Sequence, residues 1–250
     1  MVISTTVTSM ANTYFQFKQF EIQQQHAAMK VSTDSCLFGA WVAARAAASF
    51  SCAHRVLDIG TGTGLLMALL AQQCDATIDG IEIEATTAAE AAANCRRTPW
   101  HNRLRVLHAD VRNQKVAQAY DLVISNPPFY ENSLPSESAV HNVAHHGAAL
   151  TLQQLVAFVA EALNNDGSFA VLLPFFREAE MVALCADKNL QLQQRTRVRH
   201  APGKPFMRSM LWFVKGSTSL IADTDMSIHA ATGKYSEDFI QLLQPYYLYL

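Results

Sequence analysis

A doubly wound α/β fold with a mostly parallel sheet is predicted by three features of this sequence. Short apolar runs alternate with helical stretches along the first two thirds of the chain, which is the pattern of strands joined by crossover helices. The first of these runs, Arg55-Val-Leu-Asp-Ile, passes through Gly60, Gly62 and Gly64 into the apolar-periodic segment Leu65 to Gln72, a strand, glycine-rich turn and helix in succession. Successive runs also end on polar side chains, Asp58, Glu82, Asp110 and Asn126. In an open parallel sheet the ends of the strands form one carboxyl edge, where ligands bind.

Residues 1–50 form an extension ahead of this ladder: a polar lead, then Phe15 to Gln25 with alternating aromatics, then a helix from the Thr33/Asp34 cap signal through Ala48. Residues 51–250 form the main domain. Within it the strand Thr77 to Glu82 precedes an alanine-rich helix, Glu84 to Arg97, and is followed by strands Leu104 to Asp110 and Asp121 to Ser125. Thr151 to Leu163 is a capped amphipathic helix before the strand Phe169 to Leu173. The last third changes character: Leu190 to Arg199 and Met210 to Lys215 flank Pro202-Gly-Lys-Pro205, as in an antiparallel hairpin.

With 250 residues, 50% of them hydrophobic and 16% charged, the chain can bury one sizeable core. No apolar run approaches the roughly 18 residues of a membrane span, and Met1 to Thr13 has neither a basic start nor a signal-like core, so a cytoplasmic protein is expected. The five cysteines are scattered and lack a Cys-x-x-Cys pair, which favours reduced thiols over disulfides or zinc. His141, His145 and His146 lie in the long polar segment Tyr130 to Leu150, where a loop over the active site is expected. No carboxylate or cysteine completes a ligand set with them, so no metal is expected.

The net charge of −2 hides an uneven distribution. Residues 188–222 carry seven Lys or Arg (Lys188, Arg195, Arg197, Arg199, Lys204, Arg208 and Lys215) and no Asp or Glu. Such a block is a footprint for phosphates, and the alternation of Arg195, Arg197 and Arg199 puts them on one face of a strand. A solvated edge strand blunted by charge has the same composition.

The most informative stretch is Asp121-Leu-Val-Ile-Ser-Asn-Pro-Pro-Phe129. The Asn126 side-chain oxygen and the Pro127 carbonyl are two acceptors for the two N–H bonds of an amino group, and Pro127 and Pro128 stiffen the backbone that holds them. Phe129 supplies a face on which a nucleobase can stack, with Tyr130 beside it. The spacing Gly-x-Gly-x-Gly differs from the Gly-x-Gly-x-x-Gly of dinucleotide enzymes, and no proton-relay residue accompanies it, which argues against a nicotinamide oxidoreductase. Asp58, Glu82 and Asp110 could each simply cap the helix that follows, and Asn-Pro is a common turn. Their joint order along one ladder favours a ligand.

These residues resemble a known family. Asp58-Ile-Gly-Thr-Gly-Thr-Gly64 is similar to motif I of class I S-adenosylmethionine-dependent methyltransferases, and Asn126-Pro-Pro-Phe129 to their amino-methylating motif IV. Phe17-Lys-Gln-Phe20, Ala28-Met-Lys-Val-Ser-Thr-Asp34 and Tyr235-Ser-Glu look like the opening and ending of the bacterial tRNA1(Val) (adenine(37)-N6)-methyltransferases. The resemblance implies a Rossmann-like, seven-stranded sheet closed by a reversed strand, and methylation of an adenine amine in tRNA by direct transfer. It places the cofactor against Asp58, Gly60, Gly62, Gly64, Glu82, Asp110 and Asn126, with Glu82 on the ribose and Asp110 on the adenine. Catalysis falls to Asn126, Pro127 and Phe129. A tRNA substrate is expected against Pro128 and Tyr130 and, from the basic block, against Arg195, Arg197, Arg199, Lys204 and Arg208. One departure is Ala144-His-His-Gly147, where many relatives carry Ala-Arg-His-Glu. A monomer without metal or membrane contact is expected. The same Asn-Pro-Pro-aromatic chemistry serves adenines in ribosomal RNA or DNA and the glutamine of release factors, whose amide presents a similar delocalised nitrogen.

Overall fold

The computed structural model describes residues 12–27, 29–49, 54–115, 119–128, 150–216 and 222–250. The extension contributes a small antiparallel pair, β1 (Tyr14–Gln16) and β2 (Glu21–Gln23), and the helix α1 (Thr33–Ser49). The main sheet is built from β3 (Arg55–Ile59), β4 (Thr77–Glu82), β5 (Leu104–His108), β6 (Tyr120–Ser125), β7 (Leu163–Pro174), β8 (Leu190–Arg199), β9 (Phe206–Lys215) and β10 (Ala222–Ser227). Between them run α2 (Leu65–Ala71), α3 (Ala85–Arg97), α4 (Leu152–Ala162) and α5 (Glu178–Ala186), and α6 (Glu237–Leu243) follows β10.

The spatial order is β10-β8-β9-β7-β6-β3-β4-β5. Every neighbouring pair is parallel except β7 with β9 and β8 with β9, so β9 is the reversed strand. Among the described residues the sheet therefore has eight strands, where seven were expected. The additional strand β10 is legible only with difficulty, because Met226 is its one buried residue and it lacks the apolar run that marks an interior strand. β5 also ends at His108, two residues short of the expected Asp110, because Asp110 caps the 3₁₀ turn Val111–Asn113.

Alternate residues of each central strand face two separate cores, as the period of two requires. Val56, Leu122, Ile124, Ala170, Leu172, Met210 and Trp212 join one core, which α1, α2 and α6 cover. Leu57, Val123, Phe169, Val171, Leu173, Leu211 and Phe213 join the other, beneath α4 and α5. The helix α4 begins on a capping box, with Thr151 and Gln154 exchanging side-chain and backbone hydrogen bonds. α1 meets α2 very closely at Gly39, where a Cβ would lie 2.4 Å from Leu69 Cδ1.

The extension is part of the first core. Phe17 and Phe20 stack with ring centroids 4.5 Å apart and are buried. Phe17 also bridges to Tyr247, and the Lys18 N–H donates to the Tyr246 carbonyl at 2.8 Å, so the two ends of the described chain hold each other. Among the described residues no helix is long and apolar enough to cross a membrane. Cys36, Cys95 and Cys185 are buried free thiols and Cys74 is partly buried.

Candidate active site

β3 delivers Asp58 to the carboxyl edge, and the chain then turns through three glycines in the left-handed region, with φ of 72° at Gly60, 55° at Gly62 and 81° at Gly64. Side chains are disfavoured at such angles. A Cβ at Gly60 or Gly62 would meet nothing within 4 Å, so both face open space beside the strand ends. The turn is held from below: the Gly60 and Thr61 N–H groups donate to the Ile81 carbonyl at 2.9 and 3.1 Å. Gly80 on β4 makes room for it, since a Cβ there would lie 3.0 Å from Thr61 Oγ1 and 2.6 Å from Met67 Sδ.

Asp58 is fully buried at this turn. Its Oδ2 accepts from the Thr61 hydroxyl at 2.6 Å, while its Oδ1 is buried without a partner among the described residues. Burial pushes its carboxyl up to about 7; Thr61 opposes the shift and nearby Glu82 adds to it. On the neighbouring strand β6, Ser125 donates to the Ile59 carbonyl at 2.8 Å and so locks the two strand tips together. Asn126 follows directly, and its Oδ1 is likewise buried without a partner among the described residues. Pro127 is buried behind it and Pro128 is exposed. Phe129, Tyr130 and the three histidines 141, 145 and 146 lie outside the described residues.

The capping alternative separates the acidic residues. Helix α2 begins at Gly64 with no side-chain cap, so Asp58 does not serve as one. Helix α3 is capped by Glu84, which accepts from the Thr86 and Thr87 N–H groups. Glu82 therefore does something other than cap. Its Oε2 accepts from the Gly62 N–H and its Oε1 from the Glu84 N–H, both at 3.0 Å. Each carboxylate oxygen has two acceptor positions, so Glu82 retains capacity for a ligand. Asp110 behaves differently. It caps its 3₁₀ turn through the Arg112 N–H at 2.9 Å, and both oxygens accept from the Arg112 guanidinium. Those bonds from Arg112 hold its carboxyl below the usual range.

Two buried side chains of α3 that sequence patterning passes over tie the extension to this site. Asn94 Nδ2 donates to the Gln23 carbonyl at 2.8 Å and to the Thr63 carbonyl of the glycine turn at 2.9 Å. The Glu90 carboxylate accepts from the backbone N–H groups of Gln25, His26 and Ala27. An acidic and an amide residue inside an alanine-rich helix are the one signal that could have flagged them, because such groups are seldom buried without partners.

The basic hairpin is not a field of uncompensated charge. Arg195 and Arg197 both donate to Glu178, at 2.9 Å each, and Arg195 also pairs with Asp223. Arg199 lies 3.4 Å from Asp225, and Arg208 2.9 Å from Asp34 at the start of α1. The acids come from α5, β10 and α1, outside the stretch whose sequence carries none, which is why the local composition overstates the charge. Lys204 is exposed. Among the described residues, no group of three His, Cys, Asp or Glu could hold a metal ion.

The model of the methyltransferase small domain family covers residues 46–186. A tRNA1(Val) (adenine(37)-N6)-methyltransferase of Bacteroides thetaiotaomicron is 35% identical over 243 residues, covering 96% of this chain and 100% of its own. One from Photorhabdus laumondii is 33% identical over 240 residues, covering 94% and 95%. Among solved structures, a predicted O-methyltransferase from Agrobacterium tumefaciens superposes with a TM-score of 0.66 at 19% identity, over 85% of this chain and 96% of that one. The magnesium protoporphyrin IX methyltransferase from Synechocystis, solved with bound SAM, gives 0.54 at 17% identity over 73% and 80%. These two share the fold. Similarity over nearly the full length of both relatives shows more: the chain belongs to the tRNA1(Val) (adenine(37)-N6)-methyltransferase family.

Proposed function

We propose that this protein methylates the exocyclic N6 of an adenine in tRNA, adenine 37 in the anticodon loop of a valine tRNA, with S-adenosylmethionine as donor. The observation that carries the proposal is the pair of buried, unpartnered oxygens, Asp58 Oδ1 and Asn126 Oδ1, on adjacent strand tips beside an open glycine turn. A buried acceptor left without a hydrogen bond costs about 1–3 kcal/mol, so a ligand that supplies the missing donors recovers that penalty. Asp58 is placed to accept from the cationic amino group of the donor's methionine part. Glu82 accepts from ribose hydroxyls with its remaining lone pairs. Asp110 is the candidate acceptor for the donor's adenine amine, in exchange for a bond from Arg112.

When bound, S-adenosylmethionine supplies a methyl group on a sulfonium electrophilic enough for direct displacement. The chain has to raise the nucleophilicity of an amine whose lone pair is spread into the adenine ring. Asn126 Oδ1 and the Pro127 carbonyl accept its two N–H bonds, which returns density to nitrogen and favours a pyramidal geometry at attack. The new C–N bond forms as the C–S bond breaks, and the surplus proton leaves the methylated nitrogen for water. Phe129 and Tyr130 stack on the extracted base. Pro128, Lys204 and the paired arginines 195, 197, 199 and 208 line the path of the RNA.

The test is Asn126→Ala assayed with labelled donor against valine tRNA, ribosomal RNA, duplex DNA and release factor. Turnover on tRNA should fall by about 100-fold or more, as when one fixed hydrogen-bonding group is removed from a transition state, with donor affinity by calorimetry nearly unchanged. Equal loss of both would refute the role of Asn126, and methylation of another substrate class by the wild type would refute the tRNA assignment.

A further inference from the structure

Beyond the carboxyl tip of β6 the edge continues along β7, β9 and β8, and it carries aromatic rings that no step of the chemistry above uses. β7 runs three residues past the level of Ser125, which pairs with Val171, and ends at Pro174. The 3₁₀ turn Phe175–Arg177 follows at once. Phe175 packs on Phe206, the first residue of β9, with ring centroids 5.4 Å apart. Guanidinium groups cover parts of both rings: Arg197 lies 5.8 Å from the centre of Phe175 and Arg199 4.9 Å from that of Phe206. The next residue, Phe176, is 75% exposed, more than any other described large hydrophobic residue except Tyr249 near the chain end. Neighbouring strands are only about 5 Å apart, so the cluster lies one to three strands from Asn126.

A scattered exposed apolar residue needs no explanation. Here, however, an exposed ring directly follows Phe175 in the chain, beside a Phe175–Phe206 pair braced by arginines at the catalytic edge, with the exposed Lys204 in the adjoining turn. Flat aromatic faces beside cations are what unpaired nucleobases and their phosphates bind. We propose that Phe176 is a second stacking station, on which an unpaired base of the substrate RNA next to the methylated adenine rests while that adenine is held at Asn126. The arginines of the hairpin are already matched by Glu178, Asp223 and Asp225. Stacking therefore contributes more to loop recognition here than net charge does. This inference rests on the tRNA assignment above and names the part of the site that receives the rest of the loop.

The experiment uses the full-length protein and a valine-tRNA anticodon stem-loop, with KM and kcat from methyl transfer and RNA affinity from fluorescence anisotropy at several salt concentrations. Phe176→Ala should raise the KM for RNA about tenfold while kcat stays within about twofold, a typical loss for one stacked base. Donor affinity and the salt slope should not change, because the lost contact is uncharged. Phe176→Trp should restore binding, whereas Phe176→Leu should not. Lys204→Ala should instead flatten the salt slope by about 0.7, the value for one phosphate of a single strand. An unchanged KM in Phe176→Ala, or full function in Phe176→Leu, would overturn the stacking station while leaving the tRNA assignment standing. Failure of the wild type to methylate the stem-loop and intact tRNA would overturn both.

Discussion

The two halves of the carboxyl edge treat polar groups in opposite ways. At the tips of β3 and β6, Asp58 and Asn126 each bury an oxygen that nothing described satisfies. Across β8, β9 and β10, Glu178 alone accepts from Arg195, Arg197 and the Ser209 hydroxyl, the last at 2.5 Å. Charge density in the sequence points to the second region, yet its charges answer one another. Buried polar groups are nearly all paired. Arg45 Nε, Gln72 Oε1 and His229 Nδ1 are also without partners among the described residues, but only at the tips of β3 and β6 do two such oxygens fall on adjacent strands.

If this contrast is right, the hairpin network should matter for stability and the β3 tip for ligand. Glu178 is buried, and removing it leaves the Ser209 hydroxyl without this acceptor and leaves Arg195 and Arg197 with Asp223 alone as their acidic partner among the described residues. Burial alone would raise its carboxyl, but the bonds from Arg197, Ser209 and Arg195 outweigh it and hold the group below its ordinary range. Glu178→Ala should destabilise the protein by about 3 kcal/mol, the lower end for a broken buried pair. That corresponds to a Tm lower by roughly 6–12 °C for a chain of this size, read by thermal unfolding. Donor affinity by calorimetry should stay close to wild type; a large loss would show that the two halves are coupled.

Asp58→Asn should do the reverse. Losing a charged hydrogen bond to the donor costs about 2 kcal/mol, or roughly 30-fold in affinity. The unliganded protein should also change its pH response. With its folded carboxyl raised to about 7 from the ordinary 3.8, Asp58 keeps a proton in the folded state after the unfolded chain has lost it. Its contribution therefore favours folding below the ordinary value and is lost as pH rises towards 7. The difference in stability between wild type and Asp58→Asn, measured by urea unfolding from pH 4 to pH 8, should move against the wild type across that window. A flat difference would show that Asp58 is satisfied in the free protein.

How much of this was legible beforehand depended on whether a residue's partners were near in sequence. The strand Thr77–Glu82, the capped helix after Thr151 and the hairpin around Pro202 follow from local pattern and turn chemistry, and they stand where expected except that β9 begins at Phe206, four residues before Met210. The arginine partners could not be read, because Glu178 and Asp223 reach Arg195 from 17 residues before it and 28 after. β10 escaped notice because an edge strand with five of its six residues outside the core has no apolar signature. Asp110 shows the limit within one motif: the strand-end carboxylate that looked free is taken by Arg112, two residues on. Asn94 and Glu90 were hidden in an alanine-rich helix, since the backbone groups they bind lie in the extension 63 to 71 residues away and, for Asn94, also in the glycine turn.

The smallest expected effect tests the distinction between Glu82 and Glu84, which lie two residues apart at the same strand end. Glu84 caps α3, with its Oε2 2.6 Å from the Thr87 nitrogen and 2.5 Å from the Thr86 hydroxyl. Partial burial would raise its carboxyl, but the bonds from Thr86 and Thr87 outweigh this and bring it down to about 2. A depressed carboxyl contributes stability that is complete above its ordinary value of 4.5 and is lost as pH falls towards 2. Glu84→Ala should therefore cost about 1 kcal/mol at neutral pH, the usual worth of an N-cap, and the gap to wild type should close on acidification. Because Glu84 spends both oxygens on the helix, donor affinity should be unaffected, whereas Glu82→Ala should weaken it through the lost ribose contact. If calorimetry found the two variants equally impaired, the division of labour between cap and ligand would fail, and Glu82 would be only another brace for the glycine turn.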